Sequence, residues 1–181
     1  MIEREIKMKL KSPSLNDLER ELQQRSVPII STEEQEDIYF NYKYRNFKQS
    51  DEAIRLRKIG NKYELTYKGP KQGSFGKSRE EITISISNTD ITNIRIIMER
   101  IGLYETFIVK KLRKNFKIEK FIISLDRVEG LGEFIEIEGD NVTEDELKSF
   151  SEHFIRDFHI EGEVTNTSYL ELLLMKNGKD E

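Results

Sequence analysis

The sequence predicts an α+β fold: an antiparallel β-barrel with helices packed on its outside and an ionic face turned inward. Three observations support this. Seven or eight segments alternate apolar with charged residues at the two-residue period of a strand. Their polar faces carry both signs of charge, Lys and Arg beside Glu. Three amphipathic helical segments also need apolar partners. A barrel with its apolar face outward under the helices meets all three most economically, and leaves a lumen that must hold water, ions and a charged ligand. An open sheet with helices on one side and solvent on the other writes the same alternation, so the pattern alone leaves both architectures standing.

The first strand, residues 1–10, places Ile2, Ile6, Met8 and Leu10 on one face and Glu3, Glu5, Lys7 and Lys9 on the other, with Arg4 interrupting the apolar side. Leu15, Leu18 and Leu22, behind Ser12 or Ser14 as cap, predict a helix over about 14–25 that Pro28 stops. Glu36 to Tyr42 reads as an aromatic-rich strand, and a polar connection follows through Gln49, Ser50 and Asp51. A hairpin comes next. Ile54 and Leu56 alternate with Arg55 and Arg57, Gly60-Asn61 turns the chain, and Tyr63, Leu65 and Tyr67 alternate with Glu64, Thr66 and Lys68.

Gly69 to Ser78 is a loop by its Gly and Pro content; it lacks the ending of a P-loop and opens no helix. Ile82, Ile84 and Ile86 then alternate with Arg79, Glu81, Thr83 and Ser85. Ile91, Ile94, Met98 and Ile101 predict a second helix ended by Gly102. Strands over roughly 104–117 and 118–127 present Lys111, Arg113, Asn115 and Lys117 on one face and place Asp126 near an end. Past Gly130 and Gly132, Ile135 and Ile137 oppose Glu136 and Glu138. Thr143 to Glu146 is a capping box for a third helix bearing Leu147, Phe150, Phe154 and Phe158. A short helix over about 168–176 with an apolar face closes the pattern, before a polar tail. With no repeat and no linker, residues 1–181 read as a single domain.

Composition narrows the function classes. The 181 residues carry 30 Lys and Arg against 34 Asp and Glu, a formal net charge of -4, which argues against a nucleic-acid binder that tracks phosphates by bulk charge. Neither a membrane span nor a signal peptide is expected, so the default location is the cytoplasm. With no Cys and only His153 and His159, thiolate zinc sites, cysteine nucleophiles and Ser-His catalysis are poorly supplied. Any metal site must be built from carboxylates.

Glu3-x-Glu5-x-Lys7 at the N-terminus resembles the ExExK signature of the CYTH superfamily. These are the triphosphate tunnel metalloenzymes, which group class IV adenylyl cyclases with thiamine triphosphatases and inorganic triphosphatases. An ordered series makes the resemblance specific over nearly the whole chain: Arg55-x-Arg57, Leu65-Thr66-Tyr67-Lys68-Gly69-Pro70, Arg79-x-Glu81, Lys111-x-Arg113, Asp126, and Leu131-Gly132-x-Phe134-Ile135-Glu136-Ile137-Glu138. The closing Ser168-Tyr169-Leu170-Glu171-Leu172-Leu173 is similar to the C-terminal end of the class IV cyclase-like branch. One departure is local: after Asp37-x-Tyr39-Phe40 the family often continues with Asp and Pro, where this chain has Asn41-Tyr42, so that segment receives no role.

The resemblance implies an eight-stranded tunnel and a set of roles. Glu3, Glu5 and Lys7 form the catalytic signature. Glu3, Glu5, Glu136 and Glu138 bind Mg²⁺ or Mn²⁺, hard cations that prefer oxygen ligands, with Glu81 and Asp126 as secondary candidates. Lys7, Lys9, Arg55, Arg57, Lys68, Arg79, Lys111 and Arg113 cradle the oxygens of a triphosphate, the Arg residues as bidentate forks. The expected activity is metal-dependent hydrolysis of inorganic triphosphate or of nucleoside triphosphates such as ATP. The alternative is a class IV cyclase, in which the ribose 3′-oxygen of ATP attacks the α-phosphorus and pyrophosphate leaves. A non-catalytic polyphosphate-binding module is the third reading, disfavoured by the carboxylates. The helix faces leave room for a homodimer.

Overall fold

The alternation becomes sheet almost throughout the computed structural model, which describes residues 2–72, 77–139 and 141–178, with the side chains of residues 2, 3, 77 and 78 left aside. In chain order the elements are β1 (Ile2–Ser12), α1 (Leu15–Gln24), β2 (Ile29–Tyr42), β3 (Ala53–Ile59), β4 (Lys62–Lys68), β5 (Lys77–Ile86), α2 (Ile91–Arg100), β6 (Leu103–Ile118), β7 (Phe121–Val128), β8 (Gly132–Gly139), α3 (Glu144–Asp157), β9 (Glu161–Val164) and α4 (Tyr169–Lys176). The strands form one antiparallel sheet in the order β5-β4-β3-β2-β6-β7-β8-β1-β9, and the start of β1 also pairs with β5, from Ile2 opposite Glu80 to Glu5 opposite Lys77. Eight strands therefore run round a central lumen and meet at a short seam. Past that seam the same edge of β1 takes up β9, with Met8 opposite Val164 and Leu10 opposite Gly162. A Cβ on Gly162 would lie 2.4 Å from the Lys9 carbonyl oxygen, so this close approach requires glycine.

Two findings extend the sequence reading. Strand β2 starts at Ile29 rather than near Glu36, and β9 is a strand that alternation does not predict. The Gly69 to Ser78 loop is shorter than its composition suggests, because Lys77 and Ser78 already belong to β5, while residues 73–76 lie outside the described set.

The apolar faces are covered from outside in two places. Leu15, Leu18 and Leu22 of α1 and Leu147 and Phe154 of α3 pack on Ile6, Met8, Phe116, Ile123, Ile135 and Ile137 of β1, β6, β7 and β8. Met98 of α2 packs on Ile38, Phe40, Leu56 and Ile86 of β2, β3 and β5. Ser14 caps α1, and Thr143 with Glu146 forms the capping box of α3. The last helix behaves differently. A second capping box, Ser168 with Glu171, starts α4, whose Tyr169 and Leu173 are buried with Tyr39, Val109, Val128 and Phe134, residues on the lumen side of their strands. No helix of the described residues is long and apolar enough to cross a membrane.

Candidate active site

Strand parity aims the charged side chains of β1, β2, β3, β6 and β8 into one cavity of about 710 Å³. Lys7, Arg55, Arg57, Lys111 and Arg113 line it, and each is less than a tenth exposed. Cations buried side by side around one space would repel each other without fixed counter-charges. The counter-charges are Asp37, Asp126 and Glu136.

Asp37 accepts two hydrogen bonds from Arg57, Nε to Oδ1 at 2.6 Å and Nη2 to Oδ2 at 2.7 Å, and Arg55 Nη1 stands 3.9 Å away. Burial works against the Asp37 charge, but Arg57 and then Arg55 outweigh it and hold the carboxyl far below the usual carboxylate range. Asp126 is fully enclosed. Its Oδ1 accepts from Arg113 Nε at 2.7 Å; its Oδ2 accepts from Arg113 Nη2, from Lys111 Nζ at 3.3 Å and from the Tyr169 hydroxyl at 2.8 Å. Glu136 accepts from Arg113 Nη2 and lies 3.0 Å from Lys7 Nζ. Burial raises the Asp126 carboxyl, and Arg113 with Lys111 more than reverses this. Burial and the neighbouring Arg113 pull the Lys111 ammonium down to about 8, against the attraction of Asp126.

One donor in this belt is left over. Arg55 Nε is buried without a hydrogen-bond partner among the described residues, while Nη2 makes only a 3.4 Å contact to Thr66 Oγ1. The Gln35 Oε1 atom is likewise unpartnered. Buried polar atoms in folded proteins are nearly always paired, and the Arg55 guanidinium, with Nη1 3.9 Å from Asp37 and Nη2 3.4 Å from Thr66, is held far more loosely at the cavity wall than that of Arg57.

The other expected residues divide. Glu5 and Glu138 line the cavity and stand directly opposite each other on β1 and β8, as do Lys7 and Glu136. Lys68 and Glu81 also line it and pair with each other. Arg79 lines it as well, but its Nε donates to the Gly69 carbonyl at 2.7 Å and its Nη2 to the Asp51 carbonyl at 2.9 Å, which joins the end of β4 to the β2–β3 connection. Lys9 is exposed and is not among the lining residues, because β1 there, still paired with β8, has exchanged β5 for β9 along its other edge. Glu3 sits opposite Arg79 in the seam, and its side chain lies outside the described residues.

Sequence reasoning missed Asp37, Tyr39, Gln35 and Tyr169. For the first three a signal existed, since Gln35, Asp37 and Tyr39 share one strand face opposite Ile38 and Phe40.

The carboxylates fit a hard divalent cation in chemistry. Like charges placed directly across a sheet, as Glu5 and Glu138 are, are unfavourable unless a cation offsets them. Glu136 is the neighbouring donor on the same face of β8. The two oxygens of Asp126 already accept from four donors among the described residues. Among the described residues no three Asp, Glu or His side chains gather as a metal cluster.

A family model described as the CYTH domain matches residues 1–169. A protein of Methanocaldococcus jannaschii named as a candidate adenylate cyclase is 39% identical over 138 residues, 76% of this chain and 77% of that one. A solved structure from Pyrococcus horikoshii is 35% identical with a TM-score of 0.83, covering 96% of this chain and 99% of that one. A Hippeastrum protein, a candidate adenylyl cyclase whose structure is reported with a dominant triphosphatase activity, has a TM-score of 0.75 at 21% identity over 98% of this chain and 96% of that one.

Proposed function

The chain belongs to the CYTH domain family, and on that premise we propose that it hydrolyses triphosphates inside the lumen with the help of Mg²⁺ or Mn²⁺. The observation that carries the reading is the belt of buried Lys and Arg side chains around one cavity. Lys7, Arg55, Arg57, Lys111 and Arg113 converge on one cavity, fixed by Asp37, Asp126 and Glu136, so little reorganisation is needed when a polyanion enters. Each guanidinium carries five N–H donors, and the two that Asp37 takes from Arg57 leave the others for phosphate oxygens.

Glu5 and Glu138, with Glu136 and Glu3, are the residues that would hold the divalent cation. When bound, it supplies localised positive charge to the phosphoryl group and orients the attacking water. The chain itself binds the triphosphate along the belt, spreads the growing negative charge over Lys and Arg, and limits water around the reacting phosphorus through α4 at one end of the cavity.

The relative named as a candidate adenylate cyclase favours a second reading, conversion of ATP to cyclic AMP and pyrophosphate. The cavity, at about 710 Å³, is of a size for a nucleotide. Hydrolysis remains the preferred reading because it needs only a water and the groups described, whereas cyclisation also needs a base beside the ribose 3′-hydroxyl. Incubation with inorganic triphosphate and with ATP, each with Mg²⁺ or Mn²⁺, separates the two when phosphate, pyrophosphate, ADP and cyclic AMP are resolved. Phosphate release without cyclic AMP is expected. Cyclic AMP with stoichiometric pyrophosphate would establish the cyclase instead, and metal-dependent turnover of neither substrate would leave only a binding module.

A further inference from the structure

The reaction above does not use Tyr169, yet this residue touches two of its binding cations and a carboxylate that holds one of them. It opens α4 and is 5% exposed. Its ring lies beneath two ammonium groups, with Lys7 Nζ 4.0 Å and Lys111 Nζ 4.9 Å from the ring centroid. Its hydroxyl donates to Asp126 Oδ2 at 2.8 Å, the atom that Arg113 and Lys111 also contact. Phe134 meets the ring edge to face at 5.0 Å and fixes its plane. One aromatic side chain from the last helix thus contacts two of the five cations of the belt directly and two through their shared carboxylate, Lys111 being reached both ways.

We infer that Tyr169 is a positioning residue for the phosphate-binding cations, through which docking of α4 completes the site; the inference rests on the triphosphate reading above. The physical ground is the kind of contact. An aromatic face attracts an ammonium group through its quadrupole and does not claim its N–H donors as a carboxylate does. Lys7 and Lys111 come from β1 and β6, on different sides of the lumen, and their like charges favour separation. The ring lowers the cost of keeping both near one end of the cavity, and the hydroxyl steadies the Asp126 that aligns Arg113. The helix itself is tied to the barrel by Lys71 Nζ to Glu171 Oε1 at 2.9 Å and by Lys176 Nζ to the Gly130 carbonyl at 2.5 Å, so its register over the lumen is set independently of the tyrosine.

The test measures binding of inorganic triphosphate by calorimetry, and kcat and KM separately in the phosphate-release assay, for the wild type, Tyr169→Leu, Tyr169→Phe and Leu173→Ala. Tyr169→Leu removes the ring and is expected to weaken binding about tenfold, with KM rising more than kcat falls. Tyr169→Phe keeps the ring and is expected to recover affinity to within about threefold of wild type. Leu173→Ala loosens α4 from the same apolar cluster without touching either lysine, and is expected to lower the melting temperature but leave affinity within about threefold. Equal affinity in Tyr169→Leu and wild type, or a loss in Leu173→Ala as large as in Tyr169→Leu, would overturn the inference while leaving the triphosphate reading intact. A wild type that binds no inorganic triphosphate would overturn both. Should Tyr169→Leu fail to fold, carbon-13 lysine labelling of the wild type decides. The ε-methylene protons of Lys7 and Lys111 are expected upfield of the other lysines from the ring current, and both shift when inorganic triphosphate is added. Ordinary lysine shifts unaffected by triphosphate would refute the contact.

Discussion

Glu5→Gln is expected to reduce metal-dependent turnover by on the order of a hundredfold or more while leaving the protein folded. Glu5 stands across from Glu138 on the face that lines the cavity, and its side chain is 16% exposed, so the amide keeps the shape and removes only the charge. Loss of one of two facing carboxylates weakens the hold on a divalent cation more than it disturbs the sheet. Binding of inorganic triphosphate without metal is expected to persist, or to tighten slightly, since a negative charge beside the anion has gone. Initial rates at saturating Mg²⁺ and Mn²⁺, with a thermal melt of each protein, check both parts. Turnover equal to wild type would exclude Glu5 from the metal site, and loss of binding in step with loss of rate would assign it to the phosphate grip instead.

The second large effect is on stability. Asp126→Ala is expected to destabilise the protein by about 3–5 kcal/mol, because it leaves Arg113 and Lys111 buried with their principal counter-ion gone. Urea unfolding measures the loss directly. A saturating polyanion should restore more stability in the variant than in the wild type, since it offers those two cations a replacement charge. The native carboxyl lies below its unfolded value, so its contribution is present above the unfolded pKa and lost as pH falls through the native one. The variant should therefore lose less stability than the wild type on acidification. A cost below about 1 kcal/mol would contradict the role of Asp126 as the buried anchor of the belt.

Most of the lumen was legible because strand parity writes itself into sequence. Arg55 and Arg57, Lys111 and Arg113, and Glu136 and Glu138 fall on alternate positions with aliphatic residues between, so one face had to be ionic. What the string does not carry is where a strand leaves the ring. Lys9 keeps the parity of Lys7, yet it is exposed because β1 there exchanges β5 for β9 along one edge. Strand β9 itself is four residues long with only Val164 apolar, and that side chain is exposed, so it offers no periodic signal. The first half of β2 is hidden for a related reason. Glu33 and Gln35 face the cavity while Thr32 and Glu34 are exposed, and a strand polar on both faces does not alternate.

The C-terminal helix is legible as a helix but not in its placement. Its apolar residues predict a helix correctly, but its composition cannot distinguish packing on the barrel's outside from burial at the end of the lumen. Tyr169 belongs to that apolar face, as its sequence context suggests, and also donates to Asp126 and carries two ammonium groups on its ring, which composition does not reveal.

If the buried cation belt seats a triphosphate, Arg55 should serve it most directly, because among the described residues its Nε has no hydrogen-bond partner and its Nη2 makes only a 3.4 Å contact to Thr66. Calorimetric titration of inorganic triphosphate into wild type and Arg55→Ala, without metal, tests this most directly. A loss of at least about tenfold in affinity is expected, as for removal of a charge-assisted hydrogen bond, with the variant within about 1 kcal/mol of wild type in stability because Asp37 keeps both hydrogen bonds from Arg57. Equal affinity in the two proteins, or a variant that binds normally but is strongly destabilised, would contradict it and make Arg55 a structural residue.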